Sequence, residues 1–190
     1  MAMDVERSEY RQDMSFQPRA NRIGMWLFLV SETFLFGAFL AARYYSTGTL
    51  RPEELNQALA LFLTVVLLGS SVSAYLAETA IRFNHRRKFI IFTAVTIALG
   101  LLFLGGVVVE LREAIHLFPP GTPYGSSYFM LIGLHAFHVV TGLIALSIVL
   151  RLGVMGHFSS KDYWGVEGVV KYWHFVDLAW VVIYPTLYLF

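Results

Sequence analysis

The chain has 190 residues, of which 57% are hydrophobic and only 14% charged, and its net charge is +1. A soluble domain carries about 25% charged residues, so the shortfall has to sit in segments nearly free of charge, and the near-neutral balance leaves no footprint for nucleic acid. Cysteine is absent, which excludes disulfides, thiolate zinc sites and cysteine-held iron–sulfur clusters.

Residues 1–21 read as a polar N-terminal tail carrying Asp4, Glu6, Arg7, Glu9, Arg11, Asp13 and Arg19. No short apolar core precedes a small-residue cleavage site, so the expectation is that no signal peptide is removed. Residues 22–190 then form one membrane domain. A helix needs about 20 mostly apolar residues to cross the hydrocarbon core, and the segments 23–45, 56–81, 89–110, 127–150 and 170–190 qualify. None shows the alternation of a membrane β-strand. The predicted fold is therefore all-α, a polytopic bundle with five transmembrane helices. Thr47-Gly48 through Pro52 breaks the first helix from the second, and Arg82 to Lys88 separates the second from the third. Pro119-Pro120-Gly121 and Pro123 stop the chain before the fourth helix, Gly153 to Gly168 precedes the fifth, and Pro185 lies in its last turns.

Loop charge predicts the orientation. With the N-terminus cytoplasmic, the inner side holds Arg7, Arg11, Arg19, Arg22, Arg82, Arg86, Arg87, Lys88, Arg151, Lys161 and Lys171, against Arg43, Arg51 and Arg112 outside, eleven to three. Cytoplasmic loops are the ones enriched in Lys and Arg, which sets the C-terminus in the periplasm. Tyr44, Tyr45, Tyr124, Tyr128, Tyr163, Trp164, Tyr172, Trp173 and Tyr188, near the helix ends, fit interfacial belts.

Ionisable residues at membrane depth are costly and face the bundle interior. The candidates here are Glu32, Glu78, His135 and His138 (one face of the fourth helix), and His174 and Asp177 (one face of the fifth), while Glu110 marks the outer end of the third. Four readings compete: metal or haem ligation, a proton relay, a structural hydrogen-bond network between helices, and polar contact with lipid headgroups or a partner subunit. Measured from the inner side, His174 lies at about 6 Å while His138 and His135 lie at about 18 and about 22 Å, which argues against a shared haem. The second helix carries a small-residue surface of Gly69, Ser70, Ser71, Ser73, Ala74 and Ala77, suited to close helix packing. Arg86, Arg87 and Lys88 read either as headgroup contacts or as a plain topology signal.

Three stretches go beyond generic membrane composition. The first is Gly24-Met25-Trp26 through Val30-Ser31-Glu32 to Phe36-Gly37. The second is Tyr124-Gly125-Ser126-Ser127, followed by Gly133-Leu134-His135-Ala136-Phe137-His138 and Thr141-Gly142. The third is Tyr172-Trp173-His174-Phe175-Val176-Asp177 with Trp180 and Tyr184. In this order, with Gly156-His157-Phe158 in the last inner loop, the chain from Arg22 onward resembles subunit III of the haem–copper terminal oxidases.

That resemblance implies a non-catalytic subunit of a bacterial aerobic respiratory oxidase of the cytochrome c oxidase type. Its expected place is the bacterial inner membrane, beside the catalytic subunit I and subunit II. It implies support of assembly, stability and proton uptake, and bound phospholipid. It implies no catalytic or metal-binding residue and no cofactor in this chain, with haem and copper in the partner subunits. Glu32 falls on the family's intramembrane glutamate, and His135, His138, His174 and Asp177 on its polar positions. Longer members have seven helices, two of them before the Gly-Met-Trp segment, so the sequence resembles a short five-helix form. The rivals are the accessory subunit of a quinol oxidase or nitric oxide reductase and, from another class, an independent membrane haem protein or proton-coupled transporter.

Overall fold

The computed structural model describes residues 2–48 and 57–189, with side chains from Ala20 onward. The tail side chains from Asp4 to Arg19, Arg51 and the Pro52 break lie outside the described residues. The elements are α1 (Ala2–Thr47), α2 (Gln57–Arg82), α3 (Arg86–Leu117), α4 (Pro123–Met155) and α5 (Trp164–Tyr188). The polar tail is therefore helical and continuous with α1. Its Glu, Arg, Gln and Met residues are good helix formers, and it contains no glycine.

Four helical stretches are long and apolar enough to cross a membrane: Ala20–Thr47 and all of α2, α3 and α4. α5 is 25 residues long, about 37 Å at 1.5 Å per residue, but Glu167, Lys171, His174 and Asp177 dilute its apolar character. Packing supplies the reason. α5 lies against α1, α2 and α4, α3 bridges α2 and α4, and α1 rests on α4 and α5. A helix covered on three sides tolerates polar groups that neighbouring helices can satisfy.

The connections follow local chemistry. Between α2 and α3 the His85 amide donates to the Ala80 carbonyl at 2.8 Å and the Asn84 amide to that of Ile81 at 2.9 Å. Asn84 turns the chain with φ of 61°, a left-handed conformation that asparagine tolerates. Thr122 caps α4, its Oγ1 accepting from the Gly125 amide at 3.0 Å, with Pro123 at the first helical position. Gly156 ends α4 with φ of 85°. The Arg86 guanidinium then reaches across from α3, donating to the carbonyls of Gly153 at 3.0 Å and of Val154. A cation there favours the negative end of the α4 dipole.

The core is organised by two tryptophans of α5, seven residues and so two turns apart. Trp173 is fully buried, and a methyl group placed on Gly100 of α3 or Gly142 of α4 would come within 2.8 Å of its ring. Its Nε1–H donates to Ser70 Oγ on α2 at 2.9 Å. Trp180 repeats the arrangement outward, donating to Thr64 Oγ1 at 3.0 Å and packing edge-on to Phe103 with centroids 4.8 Å apart. Ser70, Ser73, Ala74 and Ala77 are buried, so the small-residue surface of α2 is where helices approach. Gly69 alone of that set is exposed.

Candidate functional site

Glu32 of α1 and His138 of α4 meet. His138 Nε2 lies 3.0 Å from Glu32 Oε2, and its Nδ1 lies 2.8 Å from the Leu134 carbonyl oxygen. A carbonyl only accepts, so Nδ1 carries a hydrogen and donates. A neutral imidazole then offers a lone pair at Nε2, to which the Glu32 carboxyl donates; an imidazolium instead donates to a carboxylate. Either way one proton bridges the pair. Phe36 packs on the imidazole with centroids 5.0 Å apart. Tyr172 of α5 closes the site, its hydroxyl 2.8 Å from Thr141 Oγ1 and donating to the His138 carbonyl at 3.3 Å.

The other two histidines lie elsewhere. His135 is fully buried, one turn outward from His138, between the rings of Phe103 (5.7 Å) and Trp180 (4.9 Å). Neither of its nitrogens has a hydrogen-bond partner among the described residues. His174 faces α2 instead, its Nδ1 2.6 Å from Ser71 Oγ. One turn outward sits Asp177, only 3% exposed, whose carboxylate oxygens have no hydrogen-bond partner among the described residues. The Ser71 hydroxyl lies beside it, but its hydrogen bond goes to His174. The three histidines thus occupy three different helix interfaces. Among the described residues no three His, Asp or Glu side chains come together as a metal-ligand set.

Glu78, half-buried at the inner end of α2, feels the charges of Glu167, Lys171 and Arg82. Glu167 is the hub of that end. It accepts from Lys171 Nζ at 2.6 Å and from Arg22 Nη2 of α1 at 3.2 Å. Trp164 lies under both cations, 5.8 Å from the Arg22 guanidinium and 5.6 Å from the Lys171 ammonium. Burial pushes the Glu167 carboxyl up, but the hydrogen bonds and charges of Lys171 and Arg22 outweigh it and hold the carboxyl below its ordinary range. Just above this cluster an apolar cavity of about 400 Å³ opens between α1 and α5, reaching Lys171 and His174.

At the opposite end, sequence reasoning placed Glu110 at the outer end of the third helix but missed its tyrosine partners, and it missed the site around Arg43. Glu110 Oε1 accepts from the Tyr188 hydroxyl at 2.5 Å, and that hydroxyl lies 3.1 Å from the one of Tyr128. All three side chains are buried. Arg43 is fully buried too, donating to the Gly48 carbonyl at 2.8 Å and to Thr47 Oγ1, with Tyr124 4.9 Å away across its face. The available signal was an acid closing an apolar run in register with tyrosines at two other helix ends. Those tyrosines were assigned to the membrane interface, as was Trp173. Tyr128, Trp173 and Tyr188 are instead fully buried, whereas Tyr45 is 94% exposed. Proximity to a helix end does not reveal which way a ring points.

Comparison with known proteins gives one consistent result. The family model described as "Cytochrome c oxidase subunit III" matches residues 7–190. A protein named "Cytochrome c oxidase subunit 3" from Pongo pygmaeus is 36% identical, covering 88% of this chain and 68% of the relative. The protein of that name from Danio rerio is also 36% identical over the same shares. The one from Homo sapiens is 35% identical, covering 97% of this chain and 76% of its own length.

Proposed function

The chain belongs to the cytochrome c oxidase subunit III family, a multi-pass membrane component of the respiratory haem–copper oxidases, and on that premise we propose the following role. It is a non-catalytic subunit of a bacterial aerobic oxidase in the inner membrane, packed against subunits I and II, which carry the haem and copper. It has five spans, with residues 1–21 as a cytoplasmic segment and residues 22–190 as the membrane domain. It holds no redox cofactor of its own, supports assembly and stability, and sustains proton uptake by the catalytic subunit during turnover.

The observation that supports this best is the Glu32–His138 pair. It couples α1 to α4 through a single proton, in a setting of Phe36 and Tyr172. Glu32, Glu78, His135, His138, His174 and Asp177 are the intramembrane polar positions of this role. Glu32 and His138 tie α1 to α4, and the others stand at other interfaces. Arg86 is engaged with α4 carbonyls, while Arg87 and Lys88 are exposed, placed to meet lipid headgroups.

The test is an oxidase prepared without this chain. It keeps its haems and starts at a substantial rate, then loses activity faster per turnover than the complete enzyme, most steeply at high pH where protons are scarce. An unchanged rate and lifetime would reduce the role to a structural one. One haem or copper per chain in the purified subunit would overturn the non-catalytic reading.

A further inference from the structure

The basic stretch between α2 and α3 has a companion feature that composition does not reveal. A cavity of about 360 Å³ lies directly beside it, lined by Leu76, Thr79 and Ala80 of α2, by Phe83 and His85 of the turn, and by Lys88, Ile91 and Phe92 of α3. Leu76 to Phe83 and His85 to Phe92 each follow helical spacing of three and four residues, so each side contributes one continuous stripe to an open groove whose Phe83 and Ile91 are largely exposed. From Phe83 to Leu76 the stripe is about 10 Å long.

The polar groups are at one end. His85 and Lys88 stand at the hairpin, three residues apart on one face, and below them the lining is apolar except for Thr79. The Thr79 hydroxyl is spent on the Tyr75 carbonyl at 2.9 Å. No acidic residue lines the cavity. Arg82, Arg86, Arg87 and Lys88 crowd this turn, with no acid between Glu78 and Glu110. Arg86 is two residues from Lys88, hence on the opposite side of α3, and is bound to α4 carbonyls. The division of labour is therefore structural: Arg86 caps a helix, and Lys88 with His85 guards the cavity.

We propose that the α2–α3 hairpin holds one anionic phospholipid, its phosphate at Lys88 and His85 and the upper part of an acyl chain between Leu76, Phe83 and Phe92. The proposal narrows the headgroup reading of the basic stretch to one groove and one charge class. It rests on that reading and on the chain lying in a membrane, not on any effect on oxidase turnover. Charge selects the occupant. A zwitterionic lipid gains nothing net from two cationic or donor groups with no acid beside them, whereas an anionic one does.

The experiment uses the full-length chain in detergent, with phosphatidylglycerol and phosphatidylcholine that carry the same diazirine-labelled acyl chain. Photolysis with the phosphatidylglycerol probe should label peptides spanning 76–92 about fivefold more than the phosphatidylcholine probe does, the selectivity one cation supplies at a lipid surface. Combining His85→Gln with Lys88→Gln should bring the two probes level. Arg151→Gln, which removes an inner charge elsewhere, should leave the preference intact. Equal labelling by both probes in the wild type, or a preference that survives His85→Gln with Lys88→Gln, overturns the proposal. Turnover kinetics of the depleted oxidase decide the subunit role separately, so either can fail alone.

Discussion

Trp173 shows how much a single residue can carry in a lipid-embedded bundle. Its ring fills the space left by Gly100 and Gly142 while its N–H satisfies Ser70, so one side chain of α5 registers three other helices. Adding a methyl group at Gly142 forces the ring or the α4 backbone to move. Gly142→Ala should therefore destabilise the purified chain by about 1–3 kcal/mol, the usual cost of overpacking, seen as a lower thermal midpoint in detergent; an unchanged midpoint would mean that the ring shifts freely. Glu32 poses a different question, because its partner needs a donor or a charge. In Glu32→Gln the amide N–H donates to His138 Nε2, so the midpoint should stay close to wild type. Glu32→Ala leaves that nitrogen unpaired next to Phe36, at a cost of about 1–3 kcal/mol. Equal losses in the two variants would show that the hydrogen bond contributes little. Of these features, sequence reading identified Glu32 and His138 because a charge in an apolar run stands out. Trp173 was taken for an interfacial residue, since neither its burial nor its glycine neighbours can be read from its position near a helix end.

At the scale of elements, α1 rests on α4 and α5 among the described residues. Its lasting attachments are the Glu32–His138 bond in the membrane and the Arg22–Glu167 pair at the inner end. The second attachment is pH-dependent. Glu167 has a carboxyl held below its ordinary range in the folded state, so it adds stability above the unfolded pKa of about 4.3 and loses that contribution as pH falls through the lower folded value. Arg22 is more than half exposed, so the effect is screened and small. The stability difference between wild type and Glu167→Gln should shrink as pH is lowered below about 4 and be present at neutral pH. A difference that grows on acidification would invert the assignment. The helices themselves were legible, because apolar runs of spanning length leave little alternative, and the Pro and Gly punctuation marked their breaks. Their ends were not. α3 and α4 each run several residues past the apolar segment at both ends, and α1 extends into the tail, because helix propensity outlasts the hydrophobic pattern that betrays it.

For the whole molecule, the packing order puts α5 in the interior of the bundle beside α4, and that has a consequence for topology. α5 is the helix whose polar content keeps it from standing out by hydropathy, yet like α4 it packs against three others, α1, α2 and α4. A helix of 25 residues held antiparallel to α4 and parallel to α1 along their lengths is expected to cross what they cross, as the proposed five-span arrangement requires. Its inner-end cluster of Glu167, Lys171 and Trp164 joins Arg22, at the start of the apolar run of α1, so both helices begin on the same side. Charge then names the side: Arg82, Arg86, Arg87 and Lys88 lie at the α2–α3 hairpin, and Arg151 near the end of α4, all on the face where Arg22 lies. The bias of basic residues makes that face the expected cytoplasmic one. An alkaline phosphatase fusion after Phe190 should be active, as for a periplasmic end, and one inserted at Asn84 inactive. A four-span chain, with α5 lying along the surface, would instead leave the end after Phe190 on the Asn84 side, so the two fusions would agree, and agreement would refute α5 as a fifth span. Reversing the bias by Arg86→Glu, Arg87→Glu and Lys88→Glu together should weaken the discrimination between the two fusions without abolishing it, because Arg22, Arg82 and Arg151 still hold the same face.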